Sequence, residues 1–507
     1  MVVSWGMTRR KQQAQQTLWE GIVLEDVKAL WEPWMVEADK LLEDEELIER
    51  VYHAQGERYQ NSSTRGRSQT PAELVLRLLL LKHIRDWSYD ILEREVRANL
   101  AYRDFTRIGL GKVPDAKTLA RIGQAISGEV VAELHRRLVE LAQEKGAIKG
   151  RKMRVDTTVV ETNIHYPTDS SLLGDGARVL TRTMKRIEKQ AGKLKRPVRN
   201  RTRSVNKRVI AIALSARHKG PEGEQRRNKH YRELLRLSRQ ILNDAKRVIT
   251  EVEQMNEKRK TGLQPLTTTL TEMAGRVRHV IRQTKARVFQ GLTQLPGKIV
   301  SLFEPHTEII RKGKASKPTE FGKLVQIQEA ENQIVTHFEV FDYRSSDRKL
   351  LLPAVEAHQR ILGRIPGLVA ADAGFYSQAQ ERAAQDKGVR WIAVPNRNTH
   401  SAERKKLEKS RWFRKAQAWR TGCEGRISVV KRRHGLSRRR YRGAEGMKRW
   451  VGLGVIADNL INIGNALAGA RARGGGGAAQ FPCGGSAQFP GRNEGGRSPL
   501  AHRRNFV

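Results

Sequence analysis

Lys152-Met153-Arg154-Val155-Asp156-Thr157-Thr158-Val159-Val160 is the stretch on which the fold turns. Its β-branched residues, with Gly150 just before them, predict a strand. Asp156 falls in the middle of that strand, where an unpaired carboxylate is costly unless it faces a cation or a polar crevice. Working outward, two more strand patterns lie at Lys323 to Glu329 and Ile334 to Asp342, joined by a short hairpin through Ala330-Glu331-Asn332. Ser346 is then expected to cap a helix carrying Leu351, Val355, His358 and Leu362 on one face. Gly367 to Ala371 and Val389 to Pro395 are short apolar runs, and Trp412 to Lys431 reads as helical. The layout β-β-β-α-β-α-β-α predicts an α/β sheet covered by helices.

Between the first strand and the second the composition changes. From about Arg178 to Val300 there are 32 Lys and Arg against 9 Asp and Glu, a net +23 out of +42 for the whole chain. Leu234, Ile241, Ala245, Val248 and Val252 recur at heptad-like spacing, as do Met273, Val277, Val280, Thr284 and Val288. This predicts a basic helical hairpin turning at Gly262 to Pro265, inserted at about 178–300. Cations of one sign at such density repel one another unless a polyanion is present, which separates this block from a neutral spacer.

Upstream, residues 1–69 combine Trp19, Trp31 and Trp34 with Glu and Leu and end in a polar stretch, an amphipathic segment and a linker. An all-helical domain is expected over 70–147. A helix opens after Thr70-Pro71 with Leu74, Leu78 and Leu81; others run from Ser88, from Pro114-Asp115 and from Ser127 to Gly146. Three such helices fit a helix-turn-helix-like DNA module, and equally an ordinary bundle. The α/β domain then spans 148–466. Residues 467–507, rich in glycine and repeating Ala-Gln-Phe-Pro, are expected to be disordered. The loss of pattern after Asn465 is also what a frameshifted end would look like.

The 507 residues carry 96 Lys and Arg, 54 Asp and Glu, and a pI near 10.8. A typical soluble metabolic enzyme is excluded, and nucleic acid is the expected partner, bound through counterion release. No run of about 18 uncharged apolar residues is evident, so no membrane span is expected. Cys423 and Cys483 are too few for a disulfide framework or a structural zinc set, consistent with a reducing, cytoplasmic setting. The first ten residues lack a signal-peptide pattern.

Three carboxylates are candidates for chemistry. Asp156 lies mid-strand, and Asp372 follows an apolar run at a strand's C-terminal end, where open α/β sheets place ligands. Glu424 lies between Arg420 and Lys431 at spacings of four and seven, on one helical face. The alternative for this last trio is a surface ion-pair ladder, and Gly422 and Gly425 weaken the helix. Hard cations such as Mg²⁺ take oxygen ligands, and a pair of them activates both the attacking and the leaving oxygen in phosphoryl transfer.

The segment Val155-Asp156-Thr157-Thr158-Val159-Val160-Glu161-Thr162-Asn163-Ile164-His165-Tyr166 resembles the first-aspartate motif of bacterial insertion-sequence DDE transposases. Asp372-Ala373-Gly374-Phe375-Tyr376 resembles their second-aspartate motif. Arg420, Glu424 and Lys431 match their Arg-x3-Glu-x6-Lys signature, and Thr70 to Gly109 is similar to the N-terminal domain that accompanies this core. The resemblance covers roughly Leu41 to Asn465. It implies an RNase H-like mixed sheet in which Asp156, Asp372 and Glu424 hold two Mg²⁺ ions, with Mn²⁺ able to substitute. It further implies cleavage at the element's ends, attack of the freed 3′-hydroxyl on target DNA, and phosphate contacts from Arg420 and Lys431. The implied partners are double-stranded DNA, as terminal inverted repeats and target, and a second subunit once DNA is bound. The sequence departs from the pattern in having Gln417 where a Tyr often precedes the Arg. The large insertion lies between the first and second acids, and none lies between Asp372 and Glu424.

Lesser candidates have plain alternatives. Glu161 falls on the opposite strand face from Asp156, His165 and Asp169 fit a structural turn, and Cys423 and Trp391 fit packing. Two other functions compete: a decayed or domesticated relative that binds DNA without cutting it, and an RNA-binding basic protein, which would not explain the Asp, Asp, Glu series.

Overall fold

The computed structural model describes residues 10–11, 26–57, 70–109, 111–192, 194–255, 257–311 and 318–474. The glycine-rich stretch from 475, with Cys483, lies outside the described residues, as does Trp19.

Strand β1 (Lys152–Glu161) is the centre of a mixed sheet. On one side it pairs antiparallel with β3 (Glu320–Glu329), from Arg154 against Glu329 to Glu161 against Gly322. The far edge of β3 takes both β2 (Glu308–Ile310) and β4 (Val335–Val340), each antiparallel. On its other side β1 pairs parallel with β5 (Leu368–Ala370), and β5 with β6 (Trp391–Ala393). The predicted hairpin is present, turned by the short 3-10 segment Glu331–Gln333 with Asn332 at φ 54°. Gly322 has a steric reason to be there: a Cβ at this position would stand 2.1 Å from the Val160 carbonyl oxygen.

Upstream of the sheet run α1 (Pro33–Leu42), α2 (Glu45–Gly56), α3 (Ala72–Ile84), α4 (Tyr89–Ala98), α5 (Leu100–Phe105), α6 (Ala116–Ala125) and α7 (Gly128–Glu144). Asp44, Ser88, Asn99, Asp115 and Ser127 each accept a backbone N–H at the start of the helix that follows, satisfying a donor that would otherwise lack a partner. The first 69 residues therefore contribute helices. Trp34, Met35, Leu41, Ile48 and Val51 join Leu76, Leu79 and Leu138 in one core, together with Leu453, Leu460 and Ile463.

Between β1 and β2 lie four helices rather than a two-helix hairpin: α8 (Asp169–Ala191), α9 (Thr202–Ser215), α10 (Pro221–Glu253) and α11 (Glu257–Gln290). The expected turn at Gly262 to Pro265 is absent, because α11 runs straight through it. Leu263, Leu270 and Met273 are buried on the same stripe, so apolar burial outweighs the missing N–H of Pro265. The helices share a core of their own, containing Leu180, Ile187, Leu234, Ile241, Val277 and Val280.

After β4, the Ser346 side chain makes no cap; the chain first forms a 3-10 turn, Asp347–Lys349, and only then α12 (Leu351–Leu362). Helix α13 (Gln378–Asp386) separates β5 from β6, and α14 (Ala402–Lys409) and α15 (Arg411–Arg433) follow. The last helix, α16 (Gly443–Gly474), continues past Asn465. Its Gly443–Arg471 stretch is long and apolar enough to cross a membrane, yet it is interrupted by charged residues such as Asp458, and most of its apolar part is packed inside the protein. Trp450, Val451 and Val455 lie against Val160, Ile327 and Val430.

At the seam of α3 and α16, Lys82 is 2% exposed, with its Nζ 5.0 Å, 5.1 Å and 5.0 Å from the ring centres of Tyr89, Tyr441 and Trp450. Burial, aided by the nearby charge of Arg440, pushes its pKa down to about 7.

Candidate active site

Alternation along β1 gives each sheet face its own covering. Met153 and Val155 join Val369, Ala371 and Ile392 under α12 and α13, with Leu351, Val355 and Ala384. The opposite face, which carries Arg154 and Asp156, is covered by α15. There Phe413 and Ala416 pack on Ala370 and Ala393.

The helical expectation for Arg420 and Glu424 is met, and the two side chains pair as i, i+4. Arg420 Nη2 donates to Glu424 Oε1 at 2.9 Å, and Nη1 stands 3.7 Å from Asp156 Oδ2. One guanidinium thus links the strand carboxylate to the helix carboxylate. Asp156 and Arg420 are only 15% and 13% exposed, whereas Glu424 is 58% exposed at the rim. Asp156 also accepts from the Thr157 backbone N–H at 2.7 Å. Arg420 Nε and Nη1 are buried with no hydrogen-bond acceptor, an incomplete arrangement for a cation that can donate five.

Asp372 stands directly after β5, where its Oδ1 accepts from the Gly374 backbone N–H at 2.8 Å and caps the 3-10 turn Ala373–Phe375. The parallel ladder ends at Arg154 opposite Ala370, two residues before Asp156 on β1 and two before Asp372 on the chain leaving β5. Lys431 lies on the same helix as Glu424, seven residues on and about 10 Å along the axis. Among the described residues no group of three or more His, Cys, Asp or Glu is gathered closely enough to hold a metal ion as it stands. The oxygen donors that meet are those of Asp156 on β1 and Glu424 on α15, with Arg420 between them; Asp372 follows the neighbouring strand β5. That donor chemistry fits a hard divalent cation.

Gln417, where the family pattern often has Tyr, ties the helix to the sheet: its Nε2 donates to the carbonyls of Ala371, at 3.1 Å, and Ala393. Gly422 also has a steric reason in the helix, since a Cβ there would lie 2.3 Å from Arg154 Nη1; Gly425 has nothing within 4 Å. Three residues went unnoticed in the sequence. Asp347 accepts from Thr157 Oγ1 at 3.2 Å and lies close to Gly374, adding a carboxylate near Asp372. Arg154 and Glu329 form a buried ion pair behind Asp156. No local signal marks any of them, because each partner is more than 150 positions away in sequence.

The lesser candidates have partners away from Asp156 and Glu424. Glu161 pairs with Arg438, Asp169 is buried against Arg287 and Gln283 at the start of α8, and His165 lies 3.6 Å from Asp175. Cys423 is buried, and burial pushes its thiol pKa well up. Trp391 is not core: β6 sits at the sheet edge, leaving its ring 40% exposed and tilted against Trp412 at 4.7 Å.

Two family models match the chain. A transposase domain (DUF772) matches residues 35–124, which is α1 to α6 apart from the first residues, and a transposase DDE domain matches residues 378–463, from α13 into α16. The second span contains Arg420, Glu424 and Lys431, but neither Asp156 nor Asp372. No curated protein and no solved structure matches the chain. The resemblance to insertion-sequence DDE transposases therefore holds at both ends of the molecule, and with it a transposase function acting on DNA.

Proposed function

We propose that this protein is an active DNA transposase that cuts at the ends of its element and joins the freed 3′ ends to target DNA, with Asp156, Asp372 and Glu424 as its acids. The observation that carries the reading is the meeting of Asp156 and Glu424 on the Arg420 guanidinium. The strand order β4-β3-β1-β5-β6, antiparallel up to β1 and parallel beyond it, supports an RNase H-like core interrupted by the basic helices α8 to α11.

Asp156, Asp372 and Glu424 would hold the two Mg²⁺ ions, or Mn²⁺ in their place. When bound, such a pair activates the attacking oxygen and stabilises the leaving oxygen of an in-line displacement at phosphorus. The protein's own part is positional and electrostatic. The two buried Arg420 donors that lack an acceptor would take a phosphate oxygen, and Lys431 would hold a flanking phosphate as a point charge. In the first step water adds to the phosphorus and the bond to the 3′ oxygen breaks, leaving a 3′-hydroxyl and a 5′-phosphate. In the second, that hydroxyl attacks a target phosphorus and displaces the target's own 3′ oxygen. No covalent protein intermediate is needed. Joining two ends calls for at least two subunits on DNA, and α8 to α11, within the stretch of net charge +23, supply cationic surface for holding them.

The test uses a supercoiled plasmid carrying the DNA that flanks the coding region, with Mg²⁺ or Mn²⁺ present. Asp156→Ala, Asp372→Ala and Glu424→Ala should each abolish nicking while binding the same DNA as tightly as the unaltered protein. Full cutting by all three would sink the assignment. The decayed-relative reading is not favoured, since all three acids and Arg420 are present.

A further inference from the structure

We propose that Arg154 is a positioning residue that fixes α15 on β1, so that Glu424 meets Asp156; the inference rests on the catalytic reading given above. Arg154 lies two residues before Asp156, so the two side chains leave β1 on the same face. It is buried, and two elements converge on its guanidinium. From β3, Glu329 is ion-paired with it. From α15, the Trp419 carbonyl accepts from Nη1, and the Trp419 ring lies 5.0 Å from the guanidinium carbon. Gly422 completes the fit, because its missing Cβ leaves the space that Nη1 fills.

These contacts fall at residues 419 and 422, immediately before Glu424. The helix is tied again just beyond it. Arg426 Nε lies 3.8 Å from Glu329 Oε1, and Arg426 Nη1 is 2.7 Å from Asp458 Oδ1 on α16. Glu329 is therefore shared by Arg154, which contacts α15 at residues 419 and 422, and by Arg426 of α15 itself, so the two ties bracket Glu424. Burial pushes the Glu329 carboxyl up to about 7, against the pull of Arg154 and Arg426, so the pair depends on both partners being present. Lysine cannot reproduce the arrangement: it has one point charge where the planar guanidinium bonds in two directions and stacks on a ring.

The experiment compares full-length Arg154→Lys, Gly422→Ala and Gly425→Ala with the unaltered protein in the plasmid-cutting assay. It reads kcat, KM for DNA and the Mn²⁺ concentration giving half-maximal cutting. Arg154→Lys should lower kcat at least about 10-fold and raise the Mn²⁺ midpoint several-fold, with KM for DNA changed by less than about two-fold, the signature of a misplaced acid rather than lost binding. Gly422→Ala should act in the same direction, although alanine is the better helix former. Gly425→Ala, where a Cβ meets nothing, should leave all three values unchanged. Adding Gly422→Ala to Arg154→Lys should cost less than it does alone, since both act on one contact. Should Arg154→Lys fail to fold by circular dichroism, Gly422→Ala against Gly425→Ala decides. Values of kcat and Mn²⁺ midpoint within about two-fold of the unaltered protein for Arg154→Lys and Gly422→Ala would overturn the inference. An unaltered protein that cuts nothing would instead overturn the catalytic reading, and this inference with it.

Discussion

Replacing Lys82 with methionine should stabilise the protein, and do so most at low pH. The amine lies among Tyr89, Tyr441 and Trp450 with its pKa pushed down to about 7 from 10.5, while Asp86 and Arg440 act on it with opposite sign and His83 adjoins it. Between those two values the folded state holds the neutral amine and the unfolded chain the ammonium. The unfolded state then binds the extra proton, so stability rises with pH by about 1.4 kcal/mol per unit, roughly 5 kcal/mol across the window. Below about pH 7 the charge is buried in the folded state and the whole penalty is felt. Lys82→Met keeps the length of the side chain, removes the charge and leaves the rings a sulfur to pack on. It should therefore be more stable than the unaltered protein by up to about 5 kcal/mol at pH 6, with the gap closing towards pH 10. Urea unfolding followed by tryptophan fluorescence at unit pH steps measures this, because the other titrating groups are common to both proteins. A variant less stable at pH 6, or a gap that does not change with pH, would refute the reasoning.

Other outcomes follow from the same packing. Trp450→Ala should cost about 3 to 5 kcal/mol in urea unfolding, since the ring is fully buried and its Nε1 donates to the Gly435 carbonyl at 2.9 Å. Arg232, Arg236, Arg239 and Lys285 line the exposed sides of α10 and α11. Changing all four to glutamine should weaken DNA binding and reduce the slope of log affinity against log salt by up to about 3.6. An unchanged slope would remove that face from the DNA surface.

The sheet was readable because its strands carry local patterns: β-branched residues in β1, a hairpin between β3 and β4, and short apolar runs at β5 and β6. The three carboxylates proposed as the acids also stand in recognisable local settings, which is what singles them out in the sequence. What escaped depends on partners distant in the chain. Nothing near Arg154 announces Glu329, and nothing near Gly422 announces that Arg154 needs its space. The α11 turn was misplaced because Gly262 and Pro265 look like a break, while the burial of Leu263 and Leu270 that overrides them belongs to the bundle. Trp391 looked interior because its neighbours are apolar, yet an edge strand of three residues exposes it. The first two helices could not be placed, since their core includes residues of α16 some 400 positions later.

The long excursion between β1 and β3 bears on how the chain is made. When Glu161 leaves the ribosome, Gly322, its partner in the ladder, is still about 160 residues from being translated. At about 5 to 20 residues per second that is a wait of roughly 8 to 32 s, with a valine-rich strand carrying unpaired edges. Helices α8 to α11 have a core of their own and need nothing from the sheet to form it. Folding as they emerge, they would turn a 160-residue gap into a short rigid span, so that β3 arrives close to a strand already waiting for it. The basic bundle would then act as an assembly jig for the sheet before it ever meets DNA.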